Sequence, residues 1–515
     1  MTLIKIFMWD PLLRLTHKPG IAQNELLLGI LKKNAGTVYG KQHEFVSINS
    51  YDDFCNKVPV NNYEALRSYI EKQELEKKPY LNMQQPVMYM QTSGTISKPK
   101  LIPVLKQSIS QYKKSQHIVA YANYRKIPGV YKGRILAIVS PAKEGELETG
   151  TSYGSMSGLV YQSMPFFIRK NYVLPSEIFE IKDYEKKYYL ITKYALAEKY
   201  ISMIATANPT TIVRIRKVID EQAAALIEDI RSDNPVRALE LETLLNKNGL
   251  VDFCTIWPQL KSITTWTDGS CSSLIPLIKT YFNENIHIVE MGYLSSEFRG
   301  GITIDVTTNA QIPALHENFF EFSEKHEYES GNMKLLTIEQ IKMGEQYYIF
   351  ATTQNGLYRY DINDIVEVTG YLNKTPLIKF VQKGSGVTNL TGEKLYEYQV
   401  LKAVEKNIIV HNASLDFFVM IGCVNDLRYT LYIEGQPLDT SAIESELDKL
   451  NMEYESKRKS GRLNPLQIRF LHTGTGEKYK QSILKEGKRE AQFKYKHLQY
   501  KHDCKFDFDA CVRRD

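Results

Sequence analysis

The sequence predicts an α/β protein of two or more domains, and three observations carry that prediction. Short runs rich in β-branched and aromatic residues, bounded by turn residues, recur at 286–290, 346–352, 365–369 and 377–381. Longer segments with apolar residues at helical spacing lie among them. The length of 515 residues exceeds one ordinary hydrophobic core. With 43% hydrophobic and 24% charged residues, the composition is that of a soluble globular chain.

The apolar patches at 3–9 and 12–15 are interrupted by Asp10 and Pro11, unlike a secretory signal, and are expected to dock on the body. Residues 21–35 place Leu27, Leu28 and Leu31 on one helical face, and Gly36 stops the helix. Residues 86–90 read as a strand, a polar helix follows from Lys106, and 133–140 reads as a buried strand. Leu196, Tyr200 and Ile204, spaced by four, predict a helix over 190–206. Asn208-Pro209 ends it and starts the next, with Ile212, Ile215, Ile219 and Ile227 as its apolar stripe. The glycines around Lys383-Gly384-Ser385-Gly386 mark a hinge. The expected domains are therefore 1–382 and 387–515, joined at 383–386. The second reads helix (396–409), strand (417–422), strand (429–434), helix (441–457), strand (467–471), helix (479–487) and a basic tail.

The bulk numbers exclude several classes. A net charge of +6 is modest at this length and does not argue for a nucleic-acid partner. No run approaches the roughly 20 apolar residues of a membrane-spanning helix. The six cysteines form no paired spacing, so neither a zinc cage nor a disulfide framework is expected, and a cytoplasmic location is.

Four segments carry candidate chemistry. Thr92-Ser93-Gly94-Thr95-Ile96-Ser97-Lys98-Pro99-Lys100 packs hydroxyls, a glycine and two lysines into one turn. Backbone N–H groups, hydroxyls and ammonium groups suit a phosphate chain, although a polar surface turn reads the same way. In Glu290-Met291-Gly292-Tyr293-Leu294-Ser295-Ser296-Glu297, a tyrosine can stack on a base, serines can bond phosphate or adenine, and Glu297 can ligate Mg²⁺; an exposed strand-end loop is the alternative. In Tyr358-Arg359-Tyr360-Asp361-Ile362-Asn363-Asp364, Asp364 offers acceptors for both ribose hydroxyls, or Asn363-Asp364 merely makes a hairpin turn. Lys494, among Lys485, Lys488, Arg489, Lys496 and Lys501, is a solvated basic face or a mobile charge for phosphate.

In this order the segments resemble the adenylate-forming superfamily of acyl-CoA synthetases, firefly luciferase and peptide-synthetase adenylation domains. TSGTISKPKLIPV, ITTWTDGSCSSL, EMGYLSSEFRGG, YRYDINDIVEVTGY and VTNLTGEKLYE look more specifically like the plant auxin-responsive acyl-acid amido synthetases and their bacterial relatives. The resemblance runs from about residue 24 to 497. It implies a luciferase-like N-terminal α/β domain with a smaller mobile α+β C-terminal domain. It also implies two half-reactions: a carboxylic acid and Mg-ATP give an acyl-adenylate, and an amine, usually an amino acid, then displaces AMP. Thr92, Ser93, Gly94, Thr95 and Lys100 are the implied phosphate loop. Tyr293, Ser295 and Ser296 would contact adenine and the α-phosphate, Glu297 would hold Mg²⁺, and Asp364 the ribose. Lys494 would reach the α-phosphate until the C-terminal domain turns, a swing in which Lys383 and Lys394 would matter. An acyl-CoA or acyl-carrier ligase, and a non-catalytic nucleotide-binding relative, are the alternatives on this scaffold.

Two departures stand out. Ser97 replaces a frequent glycine, and Asn363 replaces the glycine usual before the ribose aspartate; asparagine tolerates a left-handed backbone better than serine does. The acyl pocket is expected between the helix carrying Ser110, Tyr112 and Gln116 and the stretch 265–273, with 150–157 as rim or lid. Neither the acid nor the amine is legible.

Overall fold

The computed structural model describes the chain except residues 93–98, 249–251, 283–285, 385, 392, 412, 486–492 and 514–515. The chain divides into two compact units. One comprises Met1–Ala207, Thr211–Trp266 and Phe282–Phe380; the other comprises Asn208–Thr210, Thr267–Tyr281 and Val381–Asp515. The second unit thus takes in two short segments that a linear boundary near 382 leaves on the N-terminal side.

In the N-terminal unit, a parallel sheet runs Arg134–Ile138, Ile201–Thr206, Ser262–Thr265, His287–Glu290. Its inner strands are buried on both faces, so they read as continuous apolar runs rather than alternating ones. That burial explains one correction. The helix expected over 190–206 ends at Ala197, and Ile201–Thr206 is an inner strand of the sheet. The apparent four-residue spacing crosses the turn at Glu198–Tyr200, and a short apolar run fits either period. The following helix, Thr210–Arg231, starts as expected: Asn208 Oδ1 accepts the Thr210 N–H at 3.0 Å.

A second, antiparallel sheet has the order Asn318–Glu324, Gln346–Thr353, Tyr360–Leu372, Thr375–Lys383. A third has the order Lys100–Val104, Met88–Thr92, Ser152–Gly154, Gly145–Glu146. The helices Pro19–Asn34 and Tyr63–Glu76 bury Leu27, Leu31, Leu66 and Ile70 in one core with Phe320, Ile349, Tyr358 and Val366. At the N-terminus Trp9 and Leu12 are buried, with Trp9 5.3 Å from Tyr121, while Leu3 and Phe7 are exposed. Among the described residues, no helix is long and apolar enough to cross a membrane.

The C-terminal unit is a mixed sheet in the order Gln467–Phe470, Arg428–Gly435, Leu415–Cys423, Leu498–Tyr500. The helix Glu397–His411 packs Val400 and Val404 against Phe418, Met420, Leu431 and Ile433. Two details differ from the sequence reading. The helix expected over 441–457 is two helices, Thr440–Leu450 and Met452–Lys459, because Asn451 leaves helical geometry and its side chain caps the second. The basic tail contributes a strand, Leu498–Tyr500, parallel to Leu415–Cys423.

Candidate active site

Met88–Thr92 and Lys100–Val104 pair antiparallel with Thr92 opposite Lys100. The register sets both ends of the intervening loop side by side. Ser93, Gly94, Thr95 and Ser97 lie outside the described residues, as does the Thr92 side chain. Lys100 places its ammonium 5.6 Å from the centre of the Tyr63 ring. Tyr63 is fixed in turn, its hydroxyl accepting the Leu101 N–H at 2.7 Å. The stretch expected as a rim is anchored here: Ser152–Gly154 pairs with Met88–Thr92, and Ser155 caps the helix Met156–Gln162.

The strand His287–Glu290 feeds the second segment. Glu290 accepts the Gly292 N–H at 2.9 Å, and Gly292 takes φ +101°, a left-handed conformation that favours glycine. The turn delivers Tyr293, whose N–H donates to Gln311 Oε1 at 2.7 Å. Its ring stacks on Phe380 at 5.3 Å and lies against Gly300, where a Cβ would sit 2.0 Å from the ring. The Tyr293 hydroxyl donates to Asp364 Oδ2 at 2.7 Å. Burial, then the charge and hydrogen bond of Asp364, push this phenol well above its ordinary range, so it stays a neutral donor. Ser295 closes a turn, its hydroxyl bonding both the carbonyl and the N–H of Phe298. Ser296 is half-buried in the same turn. Glu297 is only 8% exposed, and no side-chain hydrogen bond or ion pair joins it to another described residue. Its charge acts on Tyr293 and Tyr360.

The third segment is no hairpin turn. Asn363 and Asp364 lie within the strand Tyr360–Leu372, in a bulge. Asp361 pairs with Phe350 and Ile365 with Tyr348, so three residues, 362–364, stand against Ile349 alone. Bulges re-aim side chains, and this one turns Asp364, 3% exposed, toward Tyr293. Asn363 sits at φ +59°. Its N–H donates to Asp361 Oδ1 at 2.7 Å. Tyr328 donates to the other Asp361 oxygen at 2.6 Å, and burial raises the Asp361 carboxyl. Beneath the bulge, Arg359 grips Glu321 through two bonds of 2.9 and 3.1 Å, and also donates to the Val58 carbonyl at 2.8 Å.

Tyr293, Glu297 and Asp364 thus converge in one unit. Gln311 and Phe380 complete the mounting and were not singled out in the sequence. An isolated glutamine in the apolar run Ala310–Pro313 is the signal that marks the first. Next to this mounting, Tyr112 from the helix Lys106–Lys126 lies 5.0 Å beneath the Arg299 guanidinium. Arg299 Nε is 3.9 Å from Glu317, which also takes a hydrogen bond from Ser115. Burial raises the Glu317 carboxyl and, with Lys114 and Arg299, lowers His316 to about 3. Ser110 is exposed.

In the C-terminal unit, Lys494 is exposed between buried Phe493 and half-buried Tyr495. The Phe493 carbonyl accepts Asn208 Nδ2 at 2.7 Å. The Tyr495 ring lies 4.8 Å from Phe417, and the His497 ring bonds the Phe418 carbonyl at 2.8 Å. Lys383 ends the strand Thr375–Lys383, and its carbonyl accepts the Gly386 N–H at 3.1 Å. Lys394 is exposed at φ +43°.

The mixed α/β unit with a smaller α+β unit defines the adenylate-forming ligase fold. The fold matches 2-hydroxyisobutyryl-CoA ligase in its postadenylation state at a TM-score of 0.52, with 10% identity over 93% of this chain and 89% of that one. A closer likeness is the GH3.15 acyl acid amido synthetase, at a TM-score of 0.84 and 21% identity over 98% and 96% of the two chains. Models of the GH3 family N-terminal, central and C-terminal domains match residues 10–287, 312–383 and 398–503, and the chain belongs to the GH3 family. Among curated relatives, the indole-3-acetic acid-amido synthetase GH3.4 of Arabidopsis thaliana is 23% identical over 93% of this chain and 89% of its own. GH3.17 of the same plant, also named an indole-3-acetic acid-amido synthetase, is 24% identical over 93% and 91%.

Proposed function

We propose that this GH3 protein is an ATP-dependent acyl-acid amido synthetase that joins a small carboxylic acid to an amine, the amine being an amino acid. The observation that carries the reading is the convergence of Tyr293, Glu297 and Asp364 from two segments far apart in sequence. The curated relatives are named amido synthetases over nearly the whole chain. In the first step, a carboxylate oxygen attacks the α-phosphorus of ATP. A phosphorus–oxygen bond forms, and pyrophosphate leaves with the electrons of the bond that breaks. In the second, the amine attacks the acyl carbon, AMP leaves, and the amine gives up a proton.

Both partners of the first step are anions, so fixed donors and cations must offset their charge. Thr92, Ser93, Gly94, Thr95 and Lys100 would receive the phosphates. Asp364 would accept from the ribose hydroxyls, oriented by the Tyr293 hydroxyl, while Tyr293, Ser295 and Ser296 would contact the adenine and α-phosphate. Lys494 would bring a point charge to the α-phosphate, and turning of the C-terminal unit about 383–386 would withdraw it before the amine enters. The family also implies Mg²⁺, and Glu297 fits it. A hard cation takes one or two carboxylates and fills its remaining places with phosphate and water oxygens. Glu297 is a largely buried carboxylate with no cationic partner among the described residues. The ion would supply charge neutralisation at the phosphates. The cytoplasm is the proposed setting, consistent with Cys55, Cys254, Cys271, Cys423, Cys504 and Cys511 forming no disulfide among the described residues.

The test is pyrophosphate exchange into ATP over a panel of carboxylic acids, followed by amide analysis with amino acids. Acid-dependent exchange with amide formation is expected. A thioester with coenzyme A as the only acyl product would overturn the amido reading.

A further inference from the structure

Glu397 opens the helix Glu397–His411 and is not used by the chemistry above. It touches two places at once. Its own N–H donates to the Gly386 carbonyl at 2.9 Å, and a Cβ on Gly386 would lie 3.5 Å from its carboxylate. Its Oε1 accepts the His497 N–H at 2.5 Å, and the Leu498 N–H also bonds the carboxylate. The charges facing it are Lys494 and Lys496. One side chain therefore ties the turn after Lys383 to the segment 493–498.

That segment needs such a tie. Lys494 is exposed, and its backbone is anchored on either side. On one side is the Phe493 carbonyl, held by Asn208. On the other is His497, whose carbonyl accepts the Met420 N–H at 2.8 Å and whose ring bonds Phe418. Those bonds hold the carbonyl and ring of His497; Glu397 holds its N–H. A buried carboxyl oxygen that accepts backbone N–H groups satisfies them and fixes where they point.

We propose that Glu397 is a positioning residue for Lys494, coupling the turn at Gly386 to the lysine's segment so that the lysine is presented for the first half-reaction. The inference rests on the role given to Lys494 under the proposed function. It assigns Glu397 to one step: adenylation needs the lysine held, whereas transfer from a finished acyl-adenylate does not.

The experiment compares wild type, Glu397→Ala, Glu397→Gln, Lys494→Ala and the double alanine variant. Two assays are run on the full chain. One is pyrophosphate exchange, with whichever of indole-3-acetate, benzoate or octanoate gives the fastest rate. The other is amide formation from that acid's synthetic adenylate and an amino acid. Glu397→Ala is expected to lower exchange about 10²-fold, the cost of a small misplacement, and to leave transfer unchanged. Glu397→Gln keeps an acceptor and recovers most of the exchange. The double variant loses no more than Lys494→Ala, since both act through one group. The amide hydrogens of His497 and Leu498 should exchange faster in Glu397→Ala. Where that variant fails to fold, Glu397→Leu fills its space without an acceptor and carries the same test. Equal loss of both half-reactions, or losses that add in the double variant, would overturn the positioning role. So would full exchange in Glu397→Ala beside a crippled Lys494→Ala. Full exchange in Lys494→Ala overturns the lysine's role, and the positioning role with it.

Discussion

Asp364 and Lys494 are held in opposite ways. Asp364 is 3% exposed, and a hydroxyl donated by Tyr293 fixes its side chain. Lys494 is exposed, and the anchors around it grip backbone groups of Phe493 and His497. The difference teaches how charge is handled in each unit. A carboxylate proposed to receive hydroxyls can be oriented in advance, because the bond from Tyr293 is made without a ligand. Lys494, proposed above to approach a phosphate, instead carries an exposed side chain on a backbone gripped at either side.

The largest effect should come from breaking the rigid half. Arg359 and Glu321 form a buried ion pair below the Asp364 bulge, and burial raises the Glu321 carboxyl against the pull of Arg359. Among the described residues, Arg359→Ala leaves Glu321 with the Tyr51 hydroxyl as its side-chain partner and is expected to cost about 3–5 kcal/mol of unfolding free energy. Denaturant titration measures this, and a loss below 1 kcal/mol would mean that the mounting does not depend on the pair.

Lys494→Ala should do the reverse. Removing an exposed side chain leaves the unfolding midpoint unchanged, while pyrophosphate exchange falls about 10²–10³-fold, as for loss of one transition-state charge partner. Glu297→Ala should fall by a similar factor, and its deficit should respond to added magnesium, whereas that of Lys494→Ala should not. Near-normal exchange in both variants would remove both residues from the site.

Glu397 gives the comparison a dependence on pH. Burial pushes its carboxyl up to about 7, against weaker lowering by the His497 and Leu498 N–H groups and by Lys496 and Lys494. The unfolded chain releases this proton near the ordinary glutamate value, so between there and about 7 the folded state binds more protons. Stability from this group is fully present below that window and falls as pH rises through it. Glu397→Gln should flatten this part of the pH–stability curve. His497 opposes it: burial lowers its imidazole to about 4, so its contribution is lost as pH falls below its ordinary value of 6.5.

How much of this was legible follows from where the forces act. The strand before the hydroxyl-rich loop, the helix from Lys106 and the capped start at Asn208 come from local turn and cap chemistry and are visible in the sequence, whereas the second strand of the hairpin, Lys100–Val104, was not read there. The strand Ile201–Thr206 was not visible, because its identity depends on neighbours on both sides. At the site, Tyr293 and Asp364 were legible as residue types, but their bond was not, since the two residues are 71 apart in sequence. Glu397 was invisible for the same reason: its partners are Gly386 and His497, on opposite sides of it in the chain.

The smallest effect tests the bulge itself. Asn363 replaces a glycine expected from the resemblance, and it adopts φ +59°, the conformation that glycine would serve. Its bond to Asp361 uses the backbone N–H, so substitution changes conformational cost while keeping that bond. Asn363→Ala should then lose about 1 kcal/mol from the left-handed penalty, and a β-branched Asn363→Val more. Asn363→Gly should stay within about 0.5 kcal/mol of wild type, because relief of strain offsets the greater freedom of the unfolded chain. The same series should order the KM for ATP, since straightening the bulge swings Asp364 away from Tyr293. If Ala and Gly prove equal in both stability and KM, the left-handed residue does not aim the carboxylate, and the fixed orientation of Asp364 must come from Tyr293 alone.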